Sequence, residues 1–167
     1  MLKVPPRHQL AIAAACVALN LAVGKIATLL SMPLPLDTIG SVTGAALLPP
    51  ALAIAVGAIT AVLGWAVISP VYPCYIGTQI SVVIAALAVI RLIGFDRLWK
   101  AVILGASVAV VAALVSAMTA IDAVAVGSGR STWSAVTIGG LPIEVADKLV
   151  VALVAWALVR RRLRGSA

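Results

Sequence analysis

Ala101-Val-Ile-Leu-Gly-Ala-Ser-Val-Ala-Val-Val-Ala-Ala-Leu-Val-Ser-Ala-Met118 runs for eighteen residues without a charge. As a helix at 1.5 Å per residue it is about 27 Å long, close to the thickness of a bilayer's hydrocarbon core. Outward from it, apolar runs between charges and Pro/Gly breaks predict six helices, at about 8–30, 38–49, 50–68, 75–93, 99–124 and 142–162. The second is short, about 18 Å, so it either crosses poorly or forms a re-entrant hairpin with the third.

Hydrophobic residues make up 63% of the 167-residue chain and charged residues 10%, with a mean hydropathy of +1.21. A water-soluble domain of this size has too little interior to hide so much apolar surface. The expected fold is an all-α integral membrane protein, a compact bundle of six transmembrane helices in a single domain, multi-pass in the cell membrane. Met1 to Gln9 carries Lys3 and Arg7, but no small-residue cleavage site closes the apolar stretch that follows, so the first helix is expected to be retained.

With both termini in the cytoplasm, nine of the twelve basic residues fall inside, and only Lys25, Arg130 and Lys148 lie toward the outside. The net charge of +7 is then topology and lipid headgroup contact, and no groove-reading helix or RNA motif points to nucleic acid. The seven aromatics collect near the two interfaces, Trp65, Tyr72, Tyr75 and Trp133 outside and Phe95, Trp99 and Trp156 inside, as an aromatic belt would. Gly40-Ser-Val-Thr-Gly44 and the Ala/Gly-rich helix faces let backbones approach closely.

Four of the five carboxylates cluster in the outer half: Asp37, Asp122, Glu144 and Asp147, joined by Lys25, Lys148, Asn20, Thr78 and Gln79. Each ionisable group inside a bilayer costs about 2.5–3.5 kcal/mol on insertion scales, so such groups pair or line a wet cavity. Asn20, Lys25, Asp37, Tyr75, Gln79, Asp122, Glu144, Asp147 and Lys148 are therefore the candidate substrate-binding residues, beneath a stiff first loop containing Pro33 and Pro35. Structural roles compete for most of them. Glu144 and Lys148 have ion-pair spacing near a helix start, with Pro142 in the first turn. Asp147 with Lys25 would bridge two helices, Asp37 would cap helix 2, Asp122 would be the wet end of helix 5, and Asn20 would bond a neighbouring helix. The segment from Gly127 to Gly140 would form the far rim.

Catalytic signatures are missing. No GxxxxGK[ST], HExxH or GxSxG occurs, His8 stands alone, and Gly127-Ser-Gly-Arg-Ser131 lacks the Lys of a phosphate loop. No metal site or cofactor is expected, although Cys74 offers a soft ligand to a metal-bearing substrate. An enzyme would have to improvise with Asp122, Glu144 and Asp147.

Leu34-Pro-Leu-Asp-Thr-Ile-Gly40 leading into helix 2, and Pro142-Ile-Glu-Val-Ala-Asp-Lys148 opening a last helix that runs out into Arg160 to Arg164, resemble the S components of energy-coupling factor vitamin transporters. So do the length and the six helices. That resemblance implies a non-enzymatic subunit that binds a vitamin or other micronutrient near the outer face beneath loop 1. It would work with a membrane coupling subunit and two cytoplasmic ATPases, and tip over in the membrane to deliver its cargo. It also implies coupling-subunit docking through small residues four apart on helix 1, which here are Ala11 with Ala15 and Ala14 with Ala18. No aromatic cage lies inside the bundle, which disfavours a sandwiched flat heterocycle. A corrinoid would give Cys74 a role, and a cationic or hydrogen-bonding vitamin precursor would suit the acidic cluster. The competing expectation is a membrane sensor or assembly subunit with no transported ligand.

Overall fold

Proline marks where several helices begin. Pro6 and Pro50 occupy the first helical turn of their helices, where a missing N–H removes no helical hydrogen bond. In the computed structural model, which describes the backbone of residues 5–125 and 133–164 and the side chains of 5–118 and 141–161, six helices follow one another. They are α1 (Pro6–Leu29), α2 (Ile39–Leu47), α3 (Pro50–Val67), α4 (Ile76–Ile93), α5 (Leu98–Ala125) and α6 (Trp133–Arg164), with a 3-10 turn at Tyr72–Tyr75 leading into α4. Among the described residues there is no strand. The all-helical expectation and the first five helix positions hold.

Four segments, Pro6–Leu29, Pro50–Val67, Tyr72–Ile93 and Leu98–Met118, are long and apolar enough to cross a membrane. That is the mark of a multi-pass membrane protein. Leu10, Val62, Ile84 and Val110 face outward, which would be costly in water and is ordinary against lipid.

α6 departs from expectation. It begins at Trp133 rather than near residue 142 and runs through Pro142, so most of the segment expected as a rim loop is helix, and residues 126–132 lie outside the described part. Proline forfeits one helical N–H and often stops a helix, but within a membrane a kinked helix still satisfies more backbone than an open loop does. Glu144 is consequently in the interior of a 32-residue helix, and the expected complement to a helix N-terminus does not apply to it.

α2 is the centre of the bundle. All nine of its residues are buried, and it packs against α1, α3, α4 and α6. At about 14 Å it is far shorter than a bilayer, but protein rather than lipid surrounds it, so its length need not match the membrane. α1 buries one face, Cys16, Asn20, Gly24 and Ala27, spaced as successive helical turns, and meets α2 at Cys16 and Asn20. Contact is close enough to demand glycine: a Cβ on Gly40 would lie 1.9 Å from the Cys16 carbonyl oxygen.

The N-terminus of a helix buried in this way has N–H groups without partners, and here they find one in another helix. Gly40 N and Ser41 N donate to Asn20 Oδ1 at 2.6 and 3.3 Å. The same amide donates from Nδ2 to Ser41 Oγ at 2.9 Å and to Thr60 Oγ1 on α3 at 3.1 Å. Asn20 is fully buried, and its four bonds join α1, α2 and α3. The expected capping of α2 by Asp37 is not seen, since no side chain near the start of that helix caps it.

Asn20→Ala is expected to lower stability by about 2 kcal/mol or more, because orphaned buried N–H groups cost about 1–3 kcal/mol each. Gly40→Ala should be worse, while Leu10→Ala on the outer surface should change little. Thermal unfolding of the detergent-purified protein followed by Trp fluorescence measures all three, and equal effects at residues 20 and 10 would refute the central role given to Asn20.

Candidate functional site

Alternation of the helices brings the C-terminal ends of α1 and α3, the N-terminal ends of α2 and α4, the later part of α5 and the middle of α6 to one end of the bundle. A cavity of about 360 Å³ opens there. It is lined by Pro35 from the first loop, Asp37 and Thr38 at the start of α2, Tyr72 and Tyr75 on the 3-10 turn, Thr78 and Gln79 on α4, Ala113, Ser116 and Ala117 on α5, and Glu144 and Lys148 on α6. The small residues of α5, at i, i+3 and i+4, present one helical face and keep the space open.

One wall is a bonded triad. Asp37 Oδ2 accepts from the Tyr72 hydroxyl and from Gln79 Nε2 at 3.1 Å, and Gln79 Nε2 also approaches the Tyr72 oxygen at 2.9 Å. Tyr72 is held because its ring lies against Gly64, where a Cβ would stand 2.0 Å from the ring. With the Tyr72 hydroxyl donating to Asp37, the carboxylate oxygen and the phenol oxygen both act as acceptors, so the Gln79 nitrogen faces them. That fixes Gln79 Oε1 as an acceptor, and it is buried without a partner. Thr38 Oγ1 is likewise buried and unpartnered.

The opposite wall is α6. Lys148 is buried, with its ammonium bonded to the carboxylate of Asp147, and Glu144 Oε2 is 3.6 Å from it. That distance permits charge attraction but not a hydrogen bond, which leaves Glu144 Oε2 without a bonding partner. Asp147 is completely buried and turns its other oxygen to the first loop, accepting from Leu36 N at 2.7 Å. Leu36 has φ 51°, an unusual conformation for a branched side chain, and this bond helps hold it. Loop 1 is thereby fastened to α6 on the side where Pro35 borders the cavity.

Of the nine expected binding residues, Asp37, Tyr75, Gln79, Glu144 and Lys148 line the cavity. Asp147 stands behind Lys148. Asn20 does not line it, and its hydrogen-bonding atoms are committed to the helix junction. Lys25 is half-buried outside the lining, and among the described residues it forms no ion pair; the expected bridge from Lys25 to Asp147 is replaced by Asp147 with Lys148. The Asp122 side chain lies outside the described residues, as does that of Trp133. Cys74 is exposed and free and does not border the cavity. Among the described residues no cluster of His, Cys, Asp and Glu could hold a metal.

Tyr72 was the main surprise: expected in an interface belt, it is buried at 8% exposure and bonded to Asp37. Its signal was its place in Pro70-Val-Tyr-Pro-Cys-Tyr75, where the turn preceding α4 directs a ring inward. Ser116 carried no signal beyond being a hydroxyl on an alanine face, 3.4 Å from Thr78 Oγ1. Ala11, Ala14, Ala15 and Ala18 are all exposed, so that stripe does not pack inside this bundle.

Removing Asp147 leaves the buried Lys148 without its hydrogen-bonded carboxylate, and breaking a buried pair in this way costs about 3–5 kcal/mol. Asp147→Ala is expected to be severely destabilising, and Asp147→Ala combined with Lys148→Met to recover part of the loss by removing the stranded charge. Unfolding midpoints of the two variants decide it: a double variant no more stable than the single would sink the pairing.

Comparison of the chain with protein-family models, with curated proteins and with solved structures finds no match.

Proposed function

We propose that this chain is a membrane-embedded binding subunit that captures a small micronutrient at the outer face for uptake, in the manner of an energy-coupling factor S component. The observation that carries this reading is the polar cavity at one end of the bundle. Its volume of about 360 Å³ falls in the range of small-molecule sites, and it combines an apolar floor with a few converging polar groups. The basic residues of the two termini and of the α4–α5 connection favour placing the opposite end of the bundle in the cytoplasm, so that the cavity opens outward.

The exposed alanine stripe of α1 supports a partner helix. Ala11, Ala14, Ala15 and Ala18 share one outward side of a helix whose other face is held by α2 and α3. In lipid, flush small residues are how a second protein gains close backbone contact. A membrane coupling subunit with two cytoplasmic ATPases is the partner this reading requires. A corrinoid is too large for the cavity to enclose, and Cys74 lies away from it, so the cargo is a smaller molecule. No catalytic role is assigned to the chain.

Native mass spectrometry of the purified protein, followed by a thermal-shift panel of vitamins and their precursors, tests capture. One compound is expected to bind and raise the unfolding midpoint. Asp37→Ala should abolish that shift, whereas Ala15→Leu should preserve binding and abolish uptake in cells. A protein that carries nothing and ignores the panel would instead favour a sensor or assembly subunit.

A further inference from the structure

The walls of the cavity differ in what they leave unpaired. Around it stand three carboxylates, Asp37, Glu144 and Asp147, against one ammonium, Lys148. That ammonium is bonded to Asp147 and also faces Glu144 at 3.6 Å, so among the described lining residues one cation is shared between carboxylates and negative charge is left in excess. Two acceptors lack a hydrogen bond: Gln79 Oε1, whose orientation is dictated by its neighbours, and Glu144 Oε2, which has only the longer ion pair with Lys148. Gln79 is only 3% exposed, so water from the bulk does not readily serve it. An acceptor stranded in this way costs free energy unless something completes it. The walls thus combine excess negative charge with missing donors, while Ala113 and Ala117 offer an apolar bed.

We propose that the ligand of this cavity is a compact organic cation with N–H donors at its charged end, such as an amidinium or protonated aminoheterocycle, and an apolar ring or chain behind it. Its donors satisfy Gln79 Oε1 and Glu144, and its charge offsets Asp37 and Glu144. An anionic cargo would meet like charge on both walls. A quaternary ammonium would balance the charge but leave the acceptors unpaired. This inference rests on the capture reading and narrows it to one chemical class.

Benzamidine, benzamide and benzoate have nearly the same shape and differ in charge and donors. Their binding to the full-length protein in nanodiscs, measured by calorimetry at millimolar concentration, is expected to follow that order, with benzyltrimethylammonium weaker than benzamidine. Glu144→Gln leaves the Asp147–Lys148 bond in place and should weaken benzamidine about tenfold, with thermal unfolding of the empty variant showing that it is folded. Asp37→Asn should act in the same direction. Benzoate binding better than benzamidine, or Glu144→Gln leaving benzamidine unaffected, overturns the cation assignment and leaves the capture reading standing. Failure of all four probes to bind overturns the cation assignment, while the capture reading is decided by the vitamin panel.

Discussion

A single carboxamide, that of Asn20, makes a buried central helix possible. Helices in lipid gain little by hiding apolar surface from one another, because the tails around them are just as apolar. What they cannot leave open is the first turn of a helix that lies wholly inside protein, where no water reaches its N–H groups. α2 is such a helix, and Asn20 accepts from two of its N–H groups while donating to Ser41 and to Thr60. Remove that acceptor and α2 has no satisfied way to begin. Gly40 is the matching requirement from the other side, since the amide reaches its partners only if the backbones of α1 and α2 nearly touch.

The cavity follows from the length of α2. Nine residues in the middle of helices of eighteen to thirty-two leave a vault over the N-terminus of the short one. Its neighbours continue past α2 on either side, and their inward positions have nothing to pack against. On α5 those positions are Ala113, Ser116 and Ala117, too small to fill the gap. On α4 and the turn before it, Gln79 and Tyr72 lean onto Asp37 at the rim of the vault. Loop 1 spans from α1 to α2 and is fixed by Leu36 N to Asp147, so the wall it contributes at Pro35 is held in place.

Much of this was legible in the sequence because two signals are strong in membranes. Long apolar runs placed five of the six helices near their observed bounds, and the thermodynamic cost of intramembrane charge made the convergence of Asp37, Glu144, Asp147 and Lys148 visible without any structure. Less legible was which polar groups hold the protein together and which are left free. Asn20 and Gln79 are both carboxamides on helices facing the interior; nothing in residue type or spacing says that one is fully bonded and the other keeps an oxygen unpaired. That distinction depends on three-dimensional partners, Gly40 and Thr60 for one, Asp37 and Tyr72 for the other. The start of α6 was misread for a related reason: Pro142 carries the same stop signal whether it opens a helix or sits inside one, and only neighbouring protein decides.

The polar atoms at this end of the bundle divide into two groups with opposite consequences. Those of Asn20, Ser41, Thr60, Asp147 and Leu36 meet one another, and each bond joins segments distant in sequence, so they determine the packing. Those of Gln79 and Glu144 include oxygens left unpaired, and both residues border the same space. Filling that space with apolar side chains would pack the bundle better and remove the stranded acceptors. A fold that instead keeps alanine and serine on the facing helix retains a cost that only a donor-bearing occupant relieves. The bonded triad on one wall fixes where the charged end of that occupant must lie, and Glu144, held among the described residues only by its longer ion pair with Lys148, is the group left to adjust to it.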